Sequence, residues 1–225
     1  MIINSLKGEL IVSCQAEGDD PFNTPEYVAL FAKAAQMGGA KGIRSEGIDK
    51  IKAIKKAVNL PVIGLVKDIF EDGYVKITGS FNDVERLIKV GCDIIAVDGT
   101  FRIREGLTGP DFIKVVKQKY DCIVMADISN FDEAIASAKA GANCVSTALS
   151  GYTLETKSKN TGPDFELIEE LSKTISVPVF AEGRINTPED ARKAIELGAY
   201  SIVVGTAITR PRIITSWFVN EIKKQ

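Results

Sequence analysis

The chain has 225 residues, 45% of them hydrophobic, and a net charge of −2 from 28 basic and 30 acidic residues interspersed along it. That length and apolar content suit one large domain with a substantial core, expected to run over 1–225; no basic stripe offers a footprint for nucleic acid. No apolar run approaches the ~20 residues that span a bilayer, and the N-terminus "MIINSLKGELIVS" lacks a signal-peptide pattern, so the expected setting is the cytoplasm, away from membranes.

Histidine is absent. Ser-His-Asp and Cys-His dyads and His-ligated zinc are thereby excluded, and acid–base work falls to Lys, Asp, Glu, Tyr or Cys. No acidic cluster suggests a metal site, so neither a metal nor a cofactor is expected. Cys14, Cys92, Cys122 and Cys144 form no CxxC pair and sit in or beside apolar runs, which favours buried reduced thiols. Cys14, near the end of "ELIVSCQ", has no accompanying base and is read as core.

Apolar strand-like runs alternate with helical patterns from one end to the other. The first strand is "ELIVSCQ" (9–15), followed by a helix whose start is marked by Thr24-Pro25. "AKGIRS" (40–45) and "PVIGLVK" (61–67) are the second and third. An insertion follows, "DIFEDGYVKITGS" (68–80), in which Asp72-Gly73 marks a hairpin turn; it is read as a lid over the catalytic face or a solvated loop. Asn82-Asp83 signals the next helix start, before the strands "DIIAVD" (93–98) and "CIVMAD" (122–127). The helix "FDEAIASAKAG" leads to "NCVSTA" (143–148). "VPVFAE" (177–182) precedes a helix opened by Thr187-Pro188-Glu189, and "SIVVG" (201–205) is the last strand. Near the C-terminus, "IITSWFVNEI" is an amphipathic helix whose Trp217 and Phe218 pack either on a partner chain or on the chain's own core.

A repeat underlies this order. "QMGGAKGI", "KVGCDIIAV", "KAGANCVST" and "ELGAYSIVV" each end a helix in glycine and turn into a strand. Gly39, Gly91, Gly141 and Gly198 are spaced by 52, 50 and 57 residues. Two βα units per ~50 residues, taken four times, give an α/β chain folded as a (β/α)8 TIM barrel, with a small hairpin inserted after strand three. Glycine there supplies the left-handed residue that turns a helix into the next strand. A doubly wound open sheet usually has fewer strands and lacks this recurrence.

In such a barrel, chemistry gathers at the C-terminal ends of the strands. Gln15, Arg44, Lys67, Asp98, Asp127, "TALSGYT", Glu182 and Gly205-Thr206 occupy those ends in turn. Lys67 closes an apolar strand and is the leading proton-transfer candidate in a chain without histidine, against the plainer reading of a lysine reaching into solvent. Asp127 and Glu182 also read as loop carboxylates, and Arg44 as a plain ion-pair partner. Gly183 in "AEGRI", with Gly205, Thr206 and Arg210 in "VVGTAITRP", place glycines and an arginine on loops seven and eight, which suits a phosphate monoester. Arg184 is read as a rim salt bridge.

With these residues in place the chain resembles the bacterial N-acetylmannosamine-6-phosphate 2-epimerases of sialic acid breakdown. The resemblance rests on "LIVSCQA", "GIRSEG", "PVIGLVK", "AVDGT", "MADIS", "STALSGYT", "VPVFAEGRI" and "VVGTAITRP", in order and over nearly the full length. It implies Lys67 as the proton-transfer lysine with Glu182 beside it. It also implies that Gln15, Arg44 and Asp127 contact the sugar, and that Gly183, Gly205 and Arg210 hold the phosphate. The implied reaction removes and returns the proton at C2 of the open-chain sugar, with Asp127 relaying protons through a hydroxyl and Arg44 offsetting charge. Two departures fall after strand three: Asp68 stands where a basic residue often follows the lysine, and Gly79-Ser80 where the family favours Pro-Thr. The implied partner is a small sugar phosphate, with a homodimer as the candidate assembly. Two other readings stay open: an aldolase with Lys67 as Schiff-base amine, which borohydride would trap, and a silent sugar-phosphate-binding barrel.

Overall fold

The computed structural model describes residues 2–157 and 162–224. Its strands, in chain order, are β1 (Leu10–Ser13), β2 (Gly42–Glu46), β3 (Val62–Leu65), β4 (Lys67–Ile69) and β5 (Val75–Ile77). Then follow β6 (Ile94–Asp98), β7 (Val124–Asp127), β8 (Cys144–Ser146), β9 (Val179–Glu182) and β10 (Ser201–Val204). All but β4 and β5 close into a barrel in the order β1-β10-β9-β8-β7-β6-β3-β2. Every pairing in it is parallel, and the seam closes where Leu10 meets Ile202 and Val12 meets Val204. The fold is the (β/α)8 barrel that the glycine repeat implies.

The covering helices are α1 (Pro25–Met37), α2 (Ile48–Ala57), α3 (Phe81–Val90), α4 (Gly109–Lys119), α5 (Phe131–Lys139), α6 (Phe165–Thr174) and α7 (Pro188–Glu196). A short turn α8 (Thr206–Thr209) precedes α9 (Pro211–Ile222). Thr24 and Thr187 cap α1 and α7 through their hydroxyls, and Thr187 forms a reciprocal capping box with Asp190. Ser80, rather than Asn82-Asp83, caps α3, because its hydroxyl is the side chain that reaches the Asp83 N–H. Gly39, Gly91, Gly141 and Gly198 have φ of +98°, +84°, +101° and +100°, the left-handed values a helix-to-strand turn demands.

Strand periodicity sorts the core into two layers. Ile11, Ile63, Leu65, Ile94, Ala96, Met125, Cys144, Phe180 and Val203 point into the barrel, where Ile3 and Leu6 of the N-terminal 3-10 turn join them. Their neighbours Val12, Ile43, Val62, Ile95, Val97, Val124, Ala126 and Val145 point outward against Val28, Ile51, Leu87, Phe112 and Val116 of the helices. Full burial of a side chain such as Phe180 or Ile63 contributes about 1.5–3 kcal/mol.

The same parity, carried one step beyond the apolar layer, points Gln15, Lys67, Asp98, Asp127, Ser146 and Glu182 inward at the mouth. Lys67 lies two residues past the end of β3 and opens β4, so it belongs to the inserted hairpin rather than to the third barrel strand. Strands β4 and β5 pair antiparallel through Lys67↔Ile77, Asp68↔Lys76 and Ile69↔Val75, with Gly73 at φ +84° in the turn.

Cys14 and Cys144 are buried, Cys92 and Cys122 partly so, and all four are free thiols. Burial pushes the Cys14 thiol up to about 12, which removes it as a nucleophile near neutrality. No residue of α9 is buried, and Trp217, Phe218 and Ile222 are 40%, 67% and 82% exposed. The chain's own barrel partly covers Ile213 and Ile214 but leaves Trp217, Phe218, Val219 and Ile222 of α9 exposed. Among the described residues no helix is long and apolar enough to cross a membrane.

Candidate active site

The mouth of the barrel opens into a cavity of about 680 Å³. Gln15, Arg44, Lys67, Asp127, Glu182, Gly183, Gly205, Thr206 and Arg210 all line it, so one space gathers every residue given a catalytic or binding role from the sequence, though not the strand-end Asp98. A volume of that order suits a small organic ligand.

Its floor is an ion cluster. Arg44 on β2 is 2% exposed and grips Asp127 on β7 with both arms of its guanidinium, Nη1–Oδ1 at 3.1 Å and Nη2–Oδ2 at 2.5 Å. Its Nε lies 3.2 Å from Oε1 of Glu182 on β9, an ion-pair contact without hydrogen-bond alignment, so that buried N–H has no aligned acceptor. The Ser146 hydroxyl donates to Glu182 Oε2 at 2.9 Å. Thr147 fixes the Glu182 backbone from both sides: its hydroxyl donates to the Glu182 carbonyl and accepts from the Glu182 N–H. Glu182 is thus held by the β8 end and the turn that follows it.

Two buried carboxylates share one guanidinium, and charge does not balance. Burial pushes both the Asp127 and Glu182 carboxyls up, against the downward pull of Arg44. The aligned two-point fork keeps Asp127 ionised, leaving Glu182, with one hydroxyl and an unaligned Nε, to take the first proton of the pair. Arg44 is held above the ordinary arginine value despite its burial, by Asp127 and then Glu182.

Above this floor, the Lys67 ammonium pairs with Glu17 of the β1–α1 loop, and the same Glu17 oxygen meets Arg210 Nη2 at 3.1 Å. Lys67 is near enough for its charge to oppose slightly the upward shift of both the Asp127 and Glu182 carboxyls. Gln15 is buried and donates to the Ser13 hydroxyl at 2.8 Å. Gly183 holds φ +101°, a backbone open to glycine, and Gly205 precedes α8, whose first N–H groups lack intrahelical acceptors. Thr209 ties that turn to the barrel through its hydroxyl and the Ser13 carbonyl, 2.8 Å away.

Three features differ from the sequence reading. Arg184 is not a rim salt bridge: at φ +56° it donates to the carbonyls of Ser150 and Gly162, clamping the loop after β8, and its guanidinium sits over the Tyr152 ring. Asp98 ends β6 but does not line the cavity, because Thr100, Arg102 and Arg104 take up its carboxylate. Glu17 went unnoticed; a loop glutamate fifty residues from its lysine carries no periodic signal.

Closed parallel strands, polar residues gathered at their C-terminal ends and a charged cavity define a (β/α)8-barrel protein with its chemistry at the C-terminal mouth. The chain belongs to the N-acetylmannosamine-6-phosphate epimerase family: residues 28–224 match the family described as "Putative N-acetylmannosamine-6-phosphate epimerase". A relative from Clostridioides difficile strain 630, named in the same terms as a 2-epimerase, is 48% identical over 99% of both chains. One from Caldanaerobacter subterraneus, so named too, is 50% identical over 100% of this chain and 95% of its own. The solved N-acetylmannosamine-6-phosphate 2-epimerase from Clostridium perfringens superposes with a TM-score of 0.92 at 44% identity, over 98% of this chain and 96% of that one. Thiamine phosphate pyrophosphorylase from Pyrococcus furiosus, at TM-score 0.62 and 18% identity, shares the barrel alone.

Proposed function

We propose that this chain interconverts N-acetylmannosamine 6-phosphate and N-acetylglucosamine 6-phosphate by moving the proton at C2, as a cytoplasmic enzyme of amino-sugar breakdown, with 1–225 as one catalytic domain. The observation that carries the reading is the convergence of Lys67 with the Arg44–Asp127–Glu182 cluster and Arg210 in one cavity.

In the open-chain aldehyde the C2–H bond lies α to a carbonyl. Neutral Lys67 takes that proton on Nζ, the bond pair moves into C1=C2, and the carbonyl pair moves onto O1 as an enolate. Arg44 Nε, a buried donor without an aligned acceptor, offsets the charge growing on O1. The O1 pair then re-forms the carbonyl as the C1=C2 pair takes a proton at the opposite face of C2, which gives the aldehyde with inverted configuration. That proton comes from Lys67 Nζ after the enolate turns or from a second group. Glu182, which protonates more readily than an ordinary glutamate, exchanges protons beside Lys67, and Asp127 relays through a sugar hydroxyl. Gln15 orients the sugar. The N–H groups about Gly183, Gly205 and Thr206, with the Arg210 guanidinium, hold the 6-phosphate.

The enzyme works as a homodimer, with the uncovered apolar residues of α9 as the contact surface. Incubation with N-acetylmannosamine 6-phosphate, followed by proton NMR of the anomeric signals, should show N-acetylglucosamine 6-phosphate accumulating to a fixed ratio that is reached from either side. Tight binding without conversion would mark a silent sugar-phosphate binder instead.

A further inference from the structure

Glu17 has no part in the chemistry above, yet it holds two of its principal cations. A single oxygen, Oε1, pairs with Lys67 from the hairpin and lies 3.1 Å from Arg210, between α8 and α9. Three loops, those after β1, β3 and β10, are therefore joined through one atom. Those cations serve opposite ends of the proposed substrate, Lys67 at C2 and Arg210 at the 6-phosphate. The Glu17 side chain is 41% exposed and lines the cavity, so it is a loop carboxylate lying in the space the ligand must fill rather than a buried strut.

An ammonium engaged by a carboxylate cannot accept the C2 proton, so this arrangement holds the base out of service. Partial burial works to raise the Glu17 carboxyl, but Lys67 and Arg210 together hold it below the ordinary glutamate range, so it is an anion at neutral pH. A phosphate monoester carries about −1.5 to −2 charges there and offers three acceptor oxygens, so it outcompetes a carboxylate for an arginine fork. A neutral hydroxyl at C6 does not. Once phosphate takes Arg210, Glu17 keeps a single half-exposed pair with Lys67 and faces a like charge across the cavity, and both effects favour its departure.

We infer that Glu17 is a specificity-determining residue: an internal anion that pairs with Arg210 and Lys67 and is displaced by a phosphorylated sugar but not by its unphosphorylated counterpart. The inference rests on the proposed reading of Arg210 as the phosphate arginine and deepens it. Phosphate recognition then acts twice, once as binding energy and once as the event that frees the base.

The test compares wild type, Glu17→Gln and Arg210→Gln at fixed ionic strength. Inorganic phosphate is measured as a competitive inhibitor, and kcat and KM are measured for N-acetylmannosamine with and without its 6-phosphate. Glu17→Gln should bind inorganic phosphate about fivefold more tightly, the scale of a part-exposed ion pair removed from competition. It should also narrow the kcat/KM preference for the phosphorylated sugar, chiefly by raising the rate on the unphosphorylated one. A misfolded variant cannot mimic either gain. Unchanged or weaker phosphate inhibition in Glu17→Gln overturns the inference, as does a collapse of kcat at unchanged phosphate affinity, which would make Glu17 part of the proton path. Phosphate inhibition that survives Arg210→Gln undiminished overturns the phosphate-site assignment itself, a failure distinct from the first.

Discussion

Arg44 brings one positive charge into a space shared with Asp127 and Glu182, and the mismatch has a measurable cost. Glu182 is raised by burial first, with Arg44 opposing and Asp127 reinforcing the shift. Above the ordinary glutamate value of 4.5 the folded state holds that proton more tightly than the unfolded chain, so stability falls as pH rises through the folded-state titration. Glu182→Gln removes that titration. Its melting temperature should decline less steeply with rising pH than that of wild type, leaving it about 1 kcal/mol more stable once Glu182 is ionised in wild type, while C2 exchange falls by about 10²-fold or more. Parallel declines in both proteins would contradict the placement of the proton on Glu182. These residues were legible from the sequence because each is a charged group at or near the end of an apolar strand. What was not legible was their pairing: Arg44 and Asp127 are 83 positions apart, and the fork between them exists only once the barrel closes.

The hairpin is the element on which Lys67 depends. Its turn follows from Asp72-Gly73, but its anchorage does not follow from any pattern along the chain. Arg102, on the β6–α4 loop, donates to the Val75 carbonyl and to Asp98, each at 3.1 Å, and its guanidinium lies 4.3 Å from the centre of the Phe70 ring. Asp98 is therefore a brace: it holds the arginine that holds the hairpin that carries the lysine. The sequence reading placed Asp98 with the mouth residues because strand ends look alike until the loops beyond them are built. Arg102→Met should raise hydrogen exchange across residues 67–77 and lower kcat on the order of tenfold, with phosphate inhibition little changed. Native-like exchange together with native kcat would show that the hairpin stands without this brace.

At the scale of the whole molecule, the barrel was legible because two independent periods agree. The regular alternation of apolar strand-like runs with helical patterns and the glycines recurring every ~50 residues specify the same architecture, and each recurrent glycine takes the left-handed conformation its position requires. Assembly is where local pattern said least, since an apolar helix face reads alike against one's own barrel or a partner's. With α9 uncovered, replacing Trp217 and Phe218 by Ser should convert a dimer to a monomer in light scattering, and a wild type that is already monomeric would refute the dimer. The central claim is narrower, that Lys67 moves the C2 proton within this mouth. Incubation with N-acetylmannosamine 6-phosphate in D₂O tests it most directly. Wild type should place deuterium at C2 as N-acetylglucosamine 6-phosphate forms, and Lys67→Ala, folded and still inhibited by phosphate, should lose that exchange by at least about 10³-fold. Substantial C2 exchange in Lys67→Ala would contradict the account.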